Sequence, residues 1–121
     1  MPVVLIVDDS PTEVHVLKTA LEKNGFEIIT ADSAEQGIAM AKENKPDCIL
    51  MDVVMPGMSG FQATRSLAKD PATSSIPVVI VTTKDQETDK VWGMRQGATD
   101  YLVKPVAEQQ LVEKIKEALG G

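Results

Sequence analysis

Residues 3–12 read Val3-Val4-Leu5-Ile6-Val7-Asp8-Asp9-Ser10-Pro11-Thr12. Five consecutive apolar residues, β-branched at all but Leu5, have the composition of a strand buried on both faces, and the run stops at two acids. A helix start follows at once. Pro11 sits at a first-turn position, Val14, Leu17 and Leu21 recur at helical spacing, and Asn24-Gly25 supplies the stop. Outward from this unit, an apolar run followed by an amphipathic pattern recurs four more times. Glu27 to Thr30 reads as a strand, and Ser33 with Gln36 has capping-box spacing for a helix that shows Ala34, Ile38 and Ala41 to a core before Pro46. Cys48 to Met51 is a third strand ending at Asp52, and a Pro/Gly loop, Met55 to Gly60, leads to a helix carrying Phe61, Thr64, Leu67 and Ala68. Val78 to Val81 follows Pro77 as strand four. The next helix opens with Asp85, Glu87 and Asp89 and closes with Arg95 before Gly97, matching the helix dipole at both ends. Tyr101 to Val103 is strand five, and Leu111, Ile115 and Leu119 mark helix five, with Gly120 at its end.

Five βα units imply an α/β fold with a parallel sheet covered on both faces. Strands one, three and four are uninterrupted apolar runs, whereas Glu27-Ile28-Ile29-Thr30 and the polar-flanked fifth strand have the weaker composition of edges. The order 2-1-3-4-5 puts those two at the edges. That order is a doubly wound, flavodoxin-like (βα)5 arrangement, with helices one and five on one face and two, three and four on the other.

Composition narrows the function. At 121 residues, 43% hydrophobic and 25% charged, the chain is expected to be one globular domain, residues 1–121. Twelve basic against eighteen acidic residues give a net charge of −6, which argues against direct nucleic-acid or anionic-membrane binding. Phe26, Phe61, Trp92 and Tyr101 are too few aromatics for a base-stacking platform. The single cysteine, Cys48, fits a reducing compartment, and no apolar run approaches the ~18 residues of a membrane span. A soluble, cytoplasmic monomer is expected. Only Gly120-Gly121 follows helix five, so the expectation is that no effector domain is attached.

In open parallel sheets the ligand sits beyond the carboxyl ends of the strands, where strand order reverses. Asp8 and Asp9 follow strand one, Asp52 follows strand three, Thr82 strand four and Lys104 strand five. Three carboxylates, a hydroxyl and an ammonium are thus expected on one rim. Carboxylates so close repel, and a hard divalent cation relieves the repulsion; oxygen-only ligands favour Mg²⁺, Mn²⁺ or Ca²⁺ over zinc. Cys48 lies inside a strand and His15 is alone on helix one, so no zinc set is visible. Three carboxylates, one lysine and one dication sum to zero, and such a pocket can receive a phosphoryl oxyanion. Asp52 stands where a carboxylate could be the nucleophile and form an aspartyl phosphate.

The chain resembles, over its full length, the receiver domain of two-component response regulators. The resemblance is carried by Asp8-Asp9, by Asp52 within Asp-Val-Val-Met-Pro-Gly-Met-Ser-Gly (52–60), by Thr82-Thr83, by Gly97-Ala98, and by Tyr101-Leu102-Val103-Lys104-Pro105. Among receivers it is most similar to stand-alone ones of the twitching-motility (PilH-type) and chemotaxis group. The resemblance implies that Asp52 takes a phosphoryl group from a phosphohistidine of a sensor histidine kinase or a phosphotransfer domain. It implies Mg²⁺, or Mn²⁺, held by Asp9, Asp52 and the backbone carbonyl of Val54, with Asp8 acting mostly through water. Lys104 would contact the acyl phosphate, and the Lys104–Pro105 bond would be cis. Thr82 would swing toward the phosphate and Tyr101 inward behind it, altering the surface of helix four, strand five and helix five that an output protein reads. Three positions depart from the common pattern. Val54 lacks a polar side chain, Lys84 stands two residues after Thr82, and Thr83 replaces a common alanine; all three bear on phosphate lifetime.

Taken singly, the same residues have plainer readings. Asp9 and Ser10 could cap helix one, Asp52 could be a loop acid, Thr82 structural and Lys104 solvated. His15 reads as a surface helix residue, Cys48 as a small core hydrophobe, and Trp92 as either packing or partner surface. Three function classes remain in view. The first is a phosphoryl-accepting switch, whose output is a protein partner or the drainage of phosphate from a shared kinase, with no separate substrate turned over. The second is a Mg²⁺-dependent phosphohydrolase; the haloacid-dehalogenase-like pattern Asp-x-Asp-x-Thr is not matched by Asp8-Asp9-Ser10-Pro11-Thr12. The third is a flavodoxin-like cofactor binder, which would need a phosphate loop where Asp8 and Asp9 stand. The first is the reading adopted.

Overall fold

A computed structural model describes residues 1–120; Gly121 lies outside the described residues. The elements run β1 (Val3–Val7), α1 (Pro11–Lys23), β2 (Glu27–Ala31), α2 (Ala34–Asn44), β3 (Cys48–Met51), α3 (Gly60–Lys69), β4 (Val78–Thr82), α4 (Glu87–Arg95), β5 (Asp100–Val103) and α5 (Glu108–Ala118). All strand pairings are parallel and the order is β2-β1-β3-β4-β5, as the strand compositions implied.

Side-chain alternation divides the core in two. Val4, Ile6, Cys48, Leu50, Val79, Val81 and Leu102 face α1 and α5, where Leu17, Leu21, Leu111, Val112 and Ile115 meet them. Leu5, Val7, Ile49, Met51 and Val78 face the other way, toward Ala34 and Ala41 of α2 and Ala63 and Leu67 of α3. Ile80 and Val53 form a smaller cluster with Ala98, Phe61 and Tyr101 beneath α4. Three strands buried on both faces leave no solvated side, which is why β1, β3 and β4 read as continuous apolar runs.

Local sequence places the helices closely. Ser10 accepts from the Glu13 N–H and caps α1, with Pro11 at its first position. At α2 the Ser33 hydroxyl accepts from the Gln36 N–H, but the Gln36 side chain reaches past it to the N–H of Asp32, so the reciprocal bond is displaced by one residue. A complete capping box stands at α3, where Ser59 and Gln62 exchange both bonds. Other differences are small. Ala68 is exposed, Ile38 only half-buried, Asp85 precedes α4, and Leu119 stands just past the end of α5. Cys48 is fully buried, His15 is exposed, and Trp92 is half-exposed on α4 beside Val91 and Met94.

Two glycines are fixed by close approach. A Cβ at Gly60 would lie 1.9 Å from the Asp52 carbonyl oxygen, because the start of α3 is drawn against the end of β3, where the Gly60 N–H donates to the Val53 carbonyl. A Cβ at Gly93 would come within 2.9 Å of both Ile80 and the Tyr101 ring, so α4 lies on β4 and β5 with no room for a side chain. Among the described residues no helix is long and apolar enough to cross a membrane.

Candidate functional site

The parallel ladder sets the rim. The Asp52 N–H donates to the Val7 carbonyl at 2.9 Å, the Asp8 N–H to Ala31 at 3.1 Å, and the Lys104 N–H to Thr82 at 2.8 Å. These bonds continue the strand registers by one residue, so Asp8, Asp52, Thr82 and Lys104 leave the sheet at nearly one level. Each polar side chain is the first residue at which its strand no longer needs an apolar one. Carboxylate oxygens of Asp8, Asp9 and Asp52 lie within 4.8 Å of one another. Asp8 and Asp52 are buried, Asp9 is exposed, and Thr82 is fully enclosed.

Lys104 ties the group together. Its ammonium donates to Asp8 Oδ2 at 2.7 Å and stands 3.7 Å from Asp52 Oδ2. The other oxygen of Asp8 accepts from the Ser10 N–H at 2.9 Å, and that of Asp52 from the Val53 N–H at 2.8 Å. A third acid, Glu13, reaches the same ammonium at 3.6 Å. Burial acts to lower the Lys104 pKa, but the hydrogen bond to Asp8 and the charges of Asp52, Asp8 and Glu13 outweigh it, and the net shift is upward. Asp52 shifts upward as well. Burial is the main cause; the Lys104 charge opposes it, the Asp8 charge adds to it, and the Thr82 hydroxyl and Val53 N–H pull it back only in part. Asp52 is therefore a carboxylate whose charge the protein alone does not fully compensate.

An oxygen-only set with one lysine, away from Cys48 and His15, suits a hard divalent cation by donor chemistry. All five sequence-predicted rim residues, Asp8, Asp9, Asp52, Thr82 and Lys104, are brought together. Val54, two residues after Asp52, is 58% exposed. The Lys104–Pro105 peptide is cis. Tyr101 lies on the α4 side of the sheet; its hydroxyl donates to the Lys84 carbonyl at 2.8 Å, and burial first, then the charges of Asp89, Asp52 and Asp85, push its pKa up to about 12. The Lys84 N–H in turn donates to the Thr82 hydroxyl at 3.4 Å, and its ammonium stands 3.8 Å from Asp89 at the start of α4. Lys84 thus links Thr82 and Tyr101 through its backbone, which no side-chain pattern reveals, and reaches α4 through its side chain. No motif in the sequence points to Glu13, although its place one turn before Leu17 is a signal that it shares the sheet-facing side of α1. In the sequence Gly60 is one more residue of the Pro/Gly loop, and nothing local announces its contact with Asp52.

The sequence profile described as response regulator receiver domain matches residues 4–116. Protein PilH of Pseudomonas aeruginosa is 60% identical over 118 residues, 98% of this chain and 98% of that protein. Response regulator PleD of Caulobacter vibrioides is 40% identical over 113 residues, 93% of this chain but only 25% of PleD. Among solved structures, a putative response regulator from Chloroflexus aurantiacus superposes with a TM-score of 0.95 at 32% identity, covering 99% of this chain and 98% of that one. The chemotaxis protein CheY4 of Vibrio cholerae does so with a TM-score of 0.91 at 30% identity, covering 98% of each. The order 2-1-3-4-5, the acids at the switch point between β1 and β3, and the match over nearly the whole chain agree, and the chain belongs to the response regulator receiver domain family.

Proposed function

We propose that this receiver works by accepting a phosphoryl group on Asp52. The carrying observation is the single ammonium of Lys104 set between Asp8 at 2.7 Å and Asp52 at 3.7 Å, with Asp9 completing the acidic cluster. A carboxylate that is buried yet accessible at a strand end, beside one fixed cation and one hydroxyl, is arranged for nucleophilic attack on phosphorus. Asp8, Asp9 and Asp52, with the Val54 carbonyl, would hold Mg²⁺, which Mn²⁺ could replace. When bound, the dication neutralises charge on the transferred oxygens. Asp52 Oδ forms the new O–P bond as the N–P bond to a donor histidine breaks, and the imidazole departs with the electron pair. Lys104 holds the negative oxygens of the product, and the Thr82 hydroxyl donates to one of them.

The donor is a phosphohistidine on a sensor kinase or phosphotransfer domain. The readout is the α4–β5–α5 surface, coupled to the site through Thr82, the Lys84 backbone and Tyr101. Trp92, Val91 and Met94, about half-exposed on α4, supply apolar contact there for an output protein. The likeness to PilH over 98% of each chain supports a role in motility- or chemotaxis-type signalling, which we take to be that of a cytoplasmic monomer without turnover of a separate substrate. Drainage of phosphate from a shared kinase uses the same chemistry, and the two differ only in whether an output protein binds.

Intact mass decides the chemistry. With Mg²⁺ and a small phosphodonor such as phosphoramidate, the protein should gain one phosphoryl group, and Asp52→Asn should gain none. Uptake by Asp52→Asn equal to wild type would remove Asp52 from its role. Clear metal binding without any uptake would make the protein an acidic-site interaction module.

A further inference from the structure

We infer that Glu13 is a charge filter at the mouth of the phosphoryl site, disfavouring small, highly anionic phosphodonors. The inference rests on the phosphoryl-accepting reading above and adds the donor class to it. Beside the acidic cluster lies a cavity of about 400 Å³ lined by Glu13, Val16, Leu17, Thr83, Lys104 and Pro105 together with Val106. Lys104 forms the wall shared with Asp52. Glu13 reaches that lysine at 3.6 Å, and Lys104 reaches Asp52 at 3.7 Å, so the Glu13 carboxylate stands within two ion-pair lengths of the phosphoryl acceptor. Unlike Asp8 it is not walled in; its side chain is 44% exposed against 2% for Asp8.

Charge counting gives the consequence. The three aspartates, Lys104 and a bound dication balance to zero. Glu13 takes the rim to −1, and its half-exposed side chain does so where solvent reaches the rim. It also claims part of the Lys104 charge that would otherwise draw an anion in. A free acyl phosphate diffuses in as a dianion and meets this carboxylate at the rim. A phosphohistidine carried on a protein is held by the docking surface around it, which supplies the binding free energy that a small donor lacks. Glu13 is a specificity-determining residue and takes no part in making or breaking the bond.

The test compares wild type, Glu13→Gln, Glu13→Asp and Glu22→Gln at saturating Mg²⁺. Acetyl phosphate and phosphoramidate are the donors, and intact mass is followed over time. In both reactions Asp52 Oδ displaces the leaving group at phosphorus; acetate leaves from one, and ammonia from the other with its proton already on nitrogen. Because of that proton, phosphoramidate carries one less net negative charge. Removing one charge at this distance should raise kcat/KM for acetyl phosphate roughly fivefold in Glu13→Gln, with a smaller gain for phosphoramidate. The gain should lie in KM, with the plateau rate within about twofold of wild type. It should fade at about 1 M salt, where the screening length falls to ~3 Å. Glu13→Asp keeps the charge and Glu22→Gln removes one farther along the same helix, so both should track wild type. An unchanged or lowered kcat/KM in Glu13→Gln overturns the filter, as does a gain confined to the plateau rate or one matched by Glu22→Gln. No phosphoryl uptake by wild type from either donor would overturn the phosphoryl-accepting reading, and the filter with it; uptake by wild type with no effect of Glu13→Gln overturns the filter alone.

Discussion

Replacing Asp52 by asparagine should stabilise the metal-free protein. The Asp52 carboxylate lies 3.7 Å from the Lys104 ammonium and within 4.8 Å of carboxylate oxygens of both Asp8 and Asp9. At an effective dielectric of ~20 the lysine contributes about −4.5 kcal/mol and Asp8 about +3.5 kcal/mol, so the two charges nearly cancel and burial of the carboxylate leaves the net cost. Asp9 is exposed, and water screens its charge from Asp52. Asparagine keeps an oxygen for the Val53 N–H and loses only the charge. A gain of about 1–2 kcal/mol in the absence of divalent metal is expected, or roughly 3–8 °C in Tm for a domain of this size. The pH dependence follows from the upward shift of Asp52. A group whose folded-state pKa is raised favours the folded state below its unfolded value, and that advantage is lost as pH rises through the folded value. The advantage of Asp52→Asn should therefore be full at neutral pH and should close on acidification toward the ordinary carboxylate range. Millimolar Mg²⁺ should reverse the ranking, since it binds the folded wild type and raises its Tm by mass action. Thermal melts with EDTA and with Mg²⁺ between pH 4 and 8 measure all of this. A metal-free Asp52→Asn that melts at or below wild type at pH 7 would show that the Lys104 attraction outweighs burial, and this account would fail.

Three further outcomes are expected. Gly60→Ala would set its Cβ 1.9 Å from the Asp52 carbonyl, forcing α3 away from β3; a loss of about 3 kcal/mol or more in urea unfolding is expected, with weaker Mg²⁺ binding. Gly93→Ala would press on Ile80 and on the Tyr101 ring, both within 2.9 Å, so the Tyr101–Lys84 hydrogen bond should be lost while phosphoryl uptake persists; near-ultraviolet circular dichroism and intact mass report the two. Burial pushes the Cys48 thiol up to about 12, from 9.0, and Tyr101 also stands near 12. Both groups hold their protons more tightly when folded, so stability should fall as pH rises from about 9 toward 12, and Cys48 should resist iodoacetamide until the chain unfolds.

The sequence by itself determined the architecture and the cast of the site. A strand buried on both faces must be apolar throughout, so β1, β3 and β4 announced both their existence and their central places, and the weaker β2 and β5 fell to the edges. In such a sheet the residue that ends each run is the first allowed to be polar, which made Asp8, Asp9, Asp52, Thr82 and Lys104 legible as one group before any coordinate. Caps were legible where one residue serves one helix, as at Ser10, and less so at Ser33, where the side chain of Gln36 has two backbone donors within reach and takes that of Asp32. Only the tertiary structure decided the rest. Lys104 could have turned to any of several acids; strand order brings Asp8 and Asp52, and α1 brings Glu13, all within 3.7 Å of it. Gly60 and Gly93 look like ordinary glycines until α3 and α4 are laid on the sheet, since the contact each must permit is with a residue distant in sequence or beyond a turn. Lys84 joins Thr82 to Tyr101 through an N–H and a carbonyl that every residue possesses. Side-chain pattern encodes burial and charge, and therefore fold and candidate chemistry; backbone contacts and the sharing of one cation among three acids depend on distances that exist only once the chain has closed.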